Sequence, residues 1–244
     1  MKQADFVIES NNHLNSDVME MVLTGDTSDI KRPGQFVNIL VDGLFLRRPI
    51  SVCDCDGNKL KIIYKIVGKG TKALSEMGSN VKLNLLTGLG NGYDISKAGK
   101  KPLLIGGGVG VPPLYMLAKK LIPLAEKVTV ILGFNTKNDT FYIDEFKKTG
   151  AEVAVTTVDG SYGVKGFVTD AIDFDYTHIF CCGPEAMLKA VYKKSKTDAQ
   201  FSFEERMGCG FGACMGCSCK TITGFKRICK EGPVLKKEEI LWDD

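Results

Sequence analysis

The cysteines near the C-terminal end constrain this chain more than any other feature. Five of its nine cysteines lie between positions 209 and 229 of the 244-residue sequence. Glycines between them let the backbone fold tightly, so that thiolates from one loop can converge on a small inorganic core. The spacing C-x4-C-x2-C, followed by another cysteine after eleven intervening residues, predicts a plant-type [2Fe–2S] site. Its four predicted ligands are Cys209, Cys214, Cys217 and Cys229.

Other interpretations of this segment stay open. Cys219 is an alternative to Cys217, but only Cys217 fits the x2 spacing after Cys214. A structural zinc site usually pairs two C-x2-C-like knuckles, and only one such pair occurs here. A group of unligated thiols is the remaining possibility. Crowded cysteines in a reducing compartment indicate metal binding rather than a disulfide framework, so we prefer the cluster.

Composition and charge exclude several classes of function. The net charge of +3 comes from 32 basic and 29 acidic side chains, which are scattered rather than grouped. A nucleic-acid surface would show clustered basic residues. No apolar stretch approaches the roughly 20 residues that span a bilayer, and no apolar signal core follows the N-terminus. We therefore expect a cytoplasmic protein that binds neither nucleic acid nor membranes.

The pattern of apolar residues predicts an α+β multidomain fold with three parts. Residues 1–98 contain short apolar segments separated by turn residues, which predicts an antiparallel β-barrel. Residues 99–200 alternate short strands with helices, such as a strand at 152–157 and a helix at 143–148, which predicts a doubly wound parallel α/β domain. Residues 201–244 lose this alternation and form a small C-terminal [2Fe–2S] segment.

A glycine-rich turn lies where the second part begins. Gly106, Gly107, Gly108 and Gly110 follow a short apolar strand and precede a helix that Pro112-Pro113 opens. At such a turn, backbone N–H groups and the helix dipole can hold a pyrophosphate. The third glycine of the Rossmann fingerprint G-x-G-x-x-G is missing, however. A nucleotide site and simple tight packing are both compatible with this turn.

With a proline in that third position, the turn resembles the G-x-G-x-x-P motif of the ferredoxin reductase family. A second resemblance to this family is the stretch Cys182-Gly183-Pro184, which lies beside the nicotinamide in family members. Taken alone, Cys182 would be interpreted as a small buried residue. The resemblance implies that both stretches bind a nicotinamide nucleotide. In residues 133–139, where NADP enzymes tend to place arginine, the chain has one lysine and an acid, which favours NAD.

The same resemblance implies a flavin on the barrel. Arg48-Pro49-Ile50-Ser51 is similar to the family motif R-x-Y-S, in which the arginine suits a diphosphate and the hydroxyl can bond a flavin ring nitrogen. Ile50 departs from the aromatic residue that usually stacks on the ring. Ile63-Tyr64-Lys65 and a glycine-rich stretch with Gly70 and Thr71 are similar to the second flavin element. Two phosphate-binding elements favour FAD over FMN.

The order of barrel, nicotinamide domain and C-terminal cluster resembles, within this family, the iron–sulfur electron-transfer subunits of dihydroorotate dehydrogenase B. The resemblance implies that an FMN-containing catalytic subunit oxidises dihydroorotate to orotate in pyrimidine biosynthesis, in a heterotetramer of two of each subunit. This chain would pass the electrons through the cluster and FAD to NAD+, since a flavin converts between one-electron and hydride transfer. The sequence contains no visible acid–base pair for dihydroorotate, so no catalytic residue is assigned here.

Three alternatives remain. The chain could be the small FAD and [2Fe–2S] subunit of an NAD(P)–ferredoxin transhydrogenase or a hydrogenase-type complex, although such transhydrogenases commonly have an aspartate in place of one cluster cysteine. It could also be a free-standing reductase. From a different class, it could be a non-enzymatic redox-sensing or zinc-binding protein. The sequence gives no role to Cys219, Glu204 or Glu205.

Overall fold

The N-terminal half forms a closed antiparallel barrel in the computed structural model, which describes residues 1–242. The six strands close in the order β1-β2-β5-β4-β3-β6. A short helix, α1 (Lys69–Ser75), lies between the last two strands along the chain. The strands are β1 (Lys2–His13), β2 (Val18–Thr24), β3 (Phe36–Ile39), β4 (Arg48–Asp56), β5 (Lys59–Lys65) and β6 (Lys82–Leu89).

Alternation along the strands separates the barrel interior from its outer face. On β5, Leu60, Ile62 and Tyr64 point into the barrel core, whereas Ile63 belongs to a different core that includes residues of the second half. This is the period of two expected for a strand with apolar residues on both faces. The outer face of the barrel is therefore available to pack against the rest of the chain.

The second half contains a seven-stranded sheet with the order β10-β9-β8-β7-β11-β12-β15. Every neighbouring pair is parallel except β12 and β15, which are antiparallel. β13 and β14 form a separate hairpin. The strands are β7 (Pro102–Gly107), β8 (Thr129–Phe134), β9 (Glu152–Thr157), β10 (Val164–Lys165), β11 (His178–Cys182), β12 (Ala199–Ser202), β13 (Ser218–Thr221), β14 (Gly224–Arg227) and β15 (Val234–Lys236).

The strand order of this sheet reverses at β7. β8 and β9 lie on one side of it and β11 and β12 on the other, as in a doubly wound fold. Ligands in such sheets bind beyond the carboxyl ends of the strands at this reversal. The helices of this half are α2 (Pro113–Leu121), α3 (Ile143–Lys148) and α4 (Glu185–Lys194).

The cysteine-rich segment packs between the barrel and the sheet. Cys217 and Cys229 share one core with Phe36 of β3 and Leu86 of β6, and with residues of the parallel sheet. β15 then pairs with β12, so the segment leaves the sheet and returns to it. The predicted boundary at residue 200 therefore falls within a strand, although the division into three parts stays a prediction.

The predicted fold class is confirmed, and several predicted elements have the observed bounds. The helix at 143–148 and the strand at 152–157 match α3 and β9. The sequence analysis did not anticipate α1, because Gly68 and Gly70 favour a loop, nor the return of β15 to the sheet. Within residues 1–242, no helix has the length and apolar character that a membrane crossing requires.

Candidate electron-transfer site

The four predicted ligand cysteines come together as two pairs. The amides of Ala213 and Cys214 donate to Cys209 Sγ at 3.2 and 3.5 Å, and the Cys209 amide donates to Cys214 Sγ at 3.4 Å. Cys229 pairs with Cys217, whose Sγ accepts the Cys229 amide at 3.4 Å. Cys217 and Cys229 are buried, whereas Cys214 is exposed. A cluster with four thiolates on two irons suits two such pairs.

Backbone amides also create an electrostatic environment that suits anionic sulfur. Burial raises the pKa of the Cys209 thiol, but hydrogen bonds from the amides of Cys214, Phe211 and Ala213 lower it to about 6. Amides directed at a thiolate stabilise its negative charge and can do the same for cluster sulfurs. The residues present therefore fit an iron–sulfur cluster.

Two observations bear on the competing interpretations. In the part of the chain that the structure describes, no three His, Cys, Asp or Glu side chains are grouped as ligands of a single metal ion. Cys219 lies on β13, where burial and the charges of Glu205 and Cys217 raise the pKa of its thiol. The contact with Cys229 favours Cys217 over Cys219 as a ligand, and the assignment stays a prediction.

The side chain of Arg227 and the left-handed backbone of Gly212 stabilise the cluster loop. Arg227 Nη1 donates to the carbonyl oxygen of Gly212 at 2.6 Å, and its Nε donates to Glu231 Oε2 at 2.9 Å. Gly212 has a φ of 93°, which only glycine adopts readily. The end of β14, two residues before Cys229, is thus hydrogen-bonded to the loop that carries the first three cysteines.

A cleft of about 660 Å³ lies between the barrel and the carboxyl ends of the parallel strands. Asn15, Asp17 and Lys65 form its wall on the barrel side, and the glycine turn after β7 forms its wall on the sheet side, with Gly183 and Pro184. This is the position where the strand order reverses. Its size and place suit a nicotinamide nucleotide.

The glycine turn serves both close packing and access to the cleft. A Cβ on Gly110 would lie 2.3 Å from the carbonyl oxygen of Cys182, so a side chain there would clash with backbone. Gly108 has a φ of 51° and nothing within 4 Å of an added Cβ, and it lines the cleft. Gly106 and Gly107 are buried against α2 and α4 residues. Tight packing and a nucleotide site are therefore compatible here, because the closely packed Gly107 and Gly110 line the cleft together with Gly108.

Cys182 ends β11 as a buried thiol beside an acidic group. Burial and the charge of Glu204 raise its pKa to about 12, although a hydrogen bond with Ser202 lowers it. The thiol is therefore neutral near pH 7. Glu204 also lines the cleft, and burial raises the pKa of its carboxyl group. Sequence analysis gave Glu204 no role, because its approach to Cys182 depends on the pairing of β11 with β12.

Two predicted flavin residues are in contact outside this cleft. Arg48, at the start of β4, lies so close to Gly70 of α1 that an added Cβ there would be 1.9 Å from Arg48 Nε. The hydroxyl of Thr71 accepts the amides of Val67 and Gly68 at 2.9 and 3.2 Å, so it caps α1. The guanidinium and the start of α1 together could hold a phosphate. The contact predicted for Thr71 itself stays a prediction.

The remaining predicted flavin residues point in different directions. Pro49, Ile50 and Ser51 are half-buried on β4. Tyr64 is 2% exposed in the barrel core, where its hydroxyl donates to Asn11 Oδ1 at 3.0 Å, so only its backbone can reach a ligand. Lys65 is exposed at the cleft and forms an ion pair with Asp17 at 2.8 Å.

Sequence reasoning missed residues that the fold brings to the cleft from a distance. The turn between β1 and β2 reaches the nucleotide half, where Asn15 Nδ2 donates to the carbonyl oxygen of Asp139 at 3.1 Å. Thr156 on β9 is 1% exposed and lines the cleft, and its hydroxyl has no hydrogen-bond partner among the described residues. No local motif could have indicated either contact, because both depend on tertiary packing.

The acid that favoured NAD is engaged in local structure. Asp139 Oδ2 accepts the amide and hydroxyl of Thr136 at 2.9 and 3.0 Å, which closes the turn after β8. Lys137 contributes its amide to Ser161 Oγ at 2.8 Å. The carboxylate of Asp139 is therefore engaged in this turn, and the preference for NAD over NADP stays a prediction at this point.

Two family models match the chain. The model of the iron–sulfur cluster binding domain of dihydroorotate dehydrogenase B matches residues 204–241. The model of the oxidoreductase NAD-binding domain matches residues 104–193. These ranges contain the four paired cysteines and the glycine turn, respectively.

Curated relatives match over nearly the whole chain. A dihydroorotate dehydrogenase B (NAD+) electron transfer subunit from Fusobacterium nucleatum is 42% identical and covers 98% of this chain and 99% of its own length. The subunit of that name from Bacillus pumilus is 43% identical, over 98% of both chains. The one from a Geobacillus species is 42% identical, over 99% of both.

Solved structures share the arrangement of barrel and sheet. The structure of an NADH-dependent reduced ferredoxin–NADP oxidoreductase superposes with a TM-score of 0.88 at 31% identity, over 97% of this chain and 90% of that one. A ferredoxin NADP+ reductase from Neisseria gonorrhoeae superposes with a TM-score of 0.70 at 15% identity, over 80% of this chain and 90% of that one, and shows a common fold.

Proposed function

Because the chain belongs to the family of electron transfer subunits of dihydroorotate dehydrogenase B, we propose that it accepts electrons from an FMN-containing catalytic subunit. It is an oxidoreductase subunit that uses a [2Fe–2S] cluster, FAD and NAD, and it transfers electrons to NAD+ in pyrimidine biosynthesis. The name of the family implies a catalytic partner. That this partner carries FMN and forms a heterotetramer of two of each subunit is part of the proposal.

The observation that carries the proposal is the order of the three sites around the barrel, with the flavin motif on β4 between the cysteine segment and the cleft. Cys217 and Cys229 pack in one core with β3 and β6 of the barrel, and β3 is the strand that pairs with the flavin motif on β4. The cleft at the glycine turn is lined by Lys65 of β5, the strand that pairs with β4 on its other side. Electrons would therefore pass from the cluster beside β3 to the flavin at β4, and from there to the nicotinamide beside β5.

The predicted ligand cysteines and two of the predicted flavin residues then have proposed tasks. Cys209, Cys214, Cys217 and Cys229 bind the cluster, and the amides around Cys209 stabilise its charge. Arg48 and the start of α1 hold the FAD diphosphate, with Ser51 near the ring. When bound, FAD supplies the conversion between one-electron and hydride transfer.

The nicotinamide side of the cleft has its own division of tasks. The turn at Gly108, which lines the cleft just before α2, receives the pyrophosphate, since the dipole of the helix favours an anion there. Cys182, Gly183 and Pro184 border the nicotinamide. The neutral thiol of Cys182 and the carboxyl group of Glu204 exclude water from that end, and neither side chain is assigned an acid–base step.

We also propose the cytoplasm as the compartment. All nine cysteines, which lie within residues 1–242, are unpaired thiols, and a cluster requires four of them reduced before it assembles. The relatives act with a catalytic partner, so both subunits are expected in the same compartment.

An anaerobic co-purification tests this function. The full chain is isolated from its native extract with whatever it binds, and dihydroorotate-dependent reduction of NAD+ is assayed at once. The expected result is an FMN-containing partner and activity that disappears when either subunit is omitted. A brown flavoprotein bound to a partner with several clusters, inactive with dihydroorotate, would contradict the proposal.

A second candidate is the small subunit of a transhydrogenase. It is supported by the superposition on the NADH-dependent reduced ferredoxin–NADP oxidoreductase over nearly the whole chain. Cys209 weighs against it, because such relatives commonly have aspartate as one ligand. Reduction of NADP+ by NADH and reduced ferredoxin in the purified complex would support this candidate, and its absence would leave the first proposal.

A further inference from the structure

One barrel residue touches the cluster loop directly. The side-chain amide of Asn38, on β3, donates from Nδ2 to the carbonyl oxygen of Cys209 at 3.2 Å. The approach is close on both sides, because a Cβ on the neighbouring Gly210 would lie 2.3 Å from Asn38 Nδ2. Gly210 has a φ of 78°, so the loop turns at the point of contact. Only a glycine backbone fits against Asn38 at this position.

The same residue lies opposite the predicted flavin motif. Asn38 pairs with Pro49 in the register of β3 and β4, and Phe36 pairs with Ser51. On its other side, Asn38 pairs with Leu86 of β6, which packs against the cysteine segment. Asn38 is thus one strand away from the flavin motif and one hydrogen bond away from the first cluster cysteine.

The side-chain oxygen of Asn38 indicates that another group binds at this position. Asn38 is 1% exposed, and among residues 1–242 its Oδ1 has no hydrogen-bond partner. Exchanging the oxygen and nitrogen of the amide by a half-turn would not pair both atoms, because the Cys209 carbonyl requires a donor from this side chain. Buried acceptors in native proteins are nearly always paired. A bound cofactor with an N–H group is the kind of donor that would complete it.

We propose that Asn38 is a positioning residue that holds the Cys209 end of the cluster loop against the flavin-binding strand and thereby sets the separation of cluster and FAD. This inference rests on the proposed function, since it assumes that both cofactors bind where that function needs them. Its effect is on the transfer between the two cofactors and not on the exchange of hydride with NAD. NADH delivers a hydride, and so two electrons, to FAD, and the cluster takes one electron at a time, so the two rates can be measured separately.

The matched pair of variants is Asn38→Leu and Asn91→Leu. Asn91 also joins the barrel side to the C-terminal segment, because its Nδ2 donates to the carbonyl oxygens of Glu231 and Val234 at 3.0 and 2.7 Å. It does not contact residues 209–214 and does not lie on β3. General loosening of the segment would affect both variants, whereas the proposed positioning affects only Asn38→Leu. Asn38→Ser is a smaller replacement for use if the leucine variant does not fold.

The full chain, loaded with FAD and cluster, is mixed with NADH under anaerobic conditions. In Asn38→Leu we expect FAD reduction at close to the unmodified rate and cluster reduction slowed several-fold, since the rate of electron transfer falls steeply as two redox centres move apart. Flavin absorbance follows the first step and the electron paramagnetic resonance of quenched samples follows the second. Cluster reduction at the unmodified rate, or equally slow reduction in Asn91→Leu, would overturn the inference.

A second readout needs no cofactor. In the cofactor-free chain, hydrogen exchange of the amides of residues 209–214 should be faster in Asn38→Leu than in the unmodified chain and unchanged in Asn91→Leu. Unchanged exchange in Asn38→Leu would also overturn the inference. If the unmodified loaded chain took no electrons from NADH, the proposed function would fail instead, and the exchange result would still decide whether Asn38 holds the loop.

Discussion

Individual cysteines differ in environment more than their spacing suggests. Cys217 and Cys229 are 2% exposed in a core shared with the barrel, whereas Cys214 is exposed on the loop. The spacing in the sequence predicted which thiols come together. It could not predict that one pair is buried and one faces outward, because that depends on where β3 and β6 lie.

Replacing Cys217 tests the ligand assignment. We expect Cys217→Ser to abolish retention of the cluster while FAD stays bound, because the cluster loses one of its four thiolates and the flavin residues lie on the barrel. Iron content and the visible spectrum of the purified protein are the measurements. Cys219→Ser is the control and should retain the cluster. Iron at the unmodified level in Cys217→Ser would show that another residue is the ligand.

Replacing Arg48 tests the phosphate site. A charged hydrogen bond is worth about 1.5–3 kcal/mol, so Arg48→Gln should weaken FAD binding by about tenfold to a hundredfold. Titration of the flavin-free protein with FAD, followed by fluorescence, measures the dissociation constant. Lys72→Gln on the exposed face of α1 is the control, since Lys72 forms an ion pair with Glu76 there. Equal affinities for both variants would remove Arg48 from the site.

At the scale of secondary-structure elements, the sequence predicted best where periodicity is local. The helix α3 and the strand β9 have the predicted bounds because each shows its own apolar pattern between clear turn residues. Elements fixed by distant contacts were missed. α1 begins at two glycines and exists because Thr71 caps it and Leu74 enters the barrel core. β15 has three residues and is a strand only because β12 offers an edge.

The residues of the candidate site divide in the same way, into those that belong to a local motif and those that tertiary packing brings together. Sequence indicated the cysteines, the glycine turn and Arg48, because each belongs to a motif with a chemical reason for its spacing. It gave no role to Glu204 and did not identify Asn15, which reaches the cleft through packing of the two halves. Tyr64 was predicted with the flavin residues, but its position in the alternation of β5 turns its side chain into the barrel core.

The hydrogen bond between Tyr142 and Glu20 joins the barrel to the second half, and its contribution to stability can be tested. Tyr142, before α3, donates its hydroxyl to Glu20 Oε2 of β2 at 2.5 Å. Burial and the charges of Cys53 and Glu20 raise the pKa of Tyr142, so the phenol stays a donor at neutral pH. Tyr142→Phe should lower the free energy of unfolding by about 1.5 kcal/mol, measured by urea denaturation. Tyr162→Phe, at a partly exposed position, is the control. An equal effect in both variants would show that the bond from Tyr142 to Glu20 does not stabilise the fold.

For the whole molecule, two of the three apolar cores join parts that have different functions. One fills the barrel, one joins the outer barrel face to the nucleotide half, and one joins the barrel, the sheet and the cysteine segment. Ile63 and Phe134 meet in the second, and Phe36 and Cys229 in the third. Because these two cores contain residues of more than one functional part, a substitution that disrupts one site should also lower the stability of the others.

The dependence of whole-molecule stability on pH can be tested at His178. This side chain is buried on β11, and burial lowers the pKa of its imidazole below the ordinary value. The unfolded chain therefore binds the proton first, so the stabilising contribution is complete above a pH of about 6.5 and is lost as the pH falls towards the lowered folded-state value. His178 is expected to make the protein less stable in mild acid.

Urea denaturation at pH 7.5 and pH 5.5 measures this effect. In His178→Asn, the loss of unfolding free energy between the two pH values should be smaller than in the unmodified chain. His13→Asn, at an exposed position on β1, should behave like the unmodified chain. Parallel losses in all three proteins would show that other groups account for the acid sensitivity.

The return of β15 to the sheet has a consequence for how the protein matures. The cysteine segment is anchored at both ends, by β12 before it and by β15 after it. Iron and sulfide would therefore be delivered to a loop whose ends already stand at their final separation, and less chain entropy is lost when the four thiols close around them. We therefore expect the chain to fold before iron and sulfide are inserted.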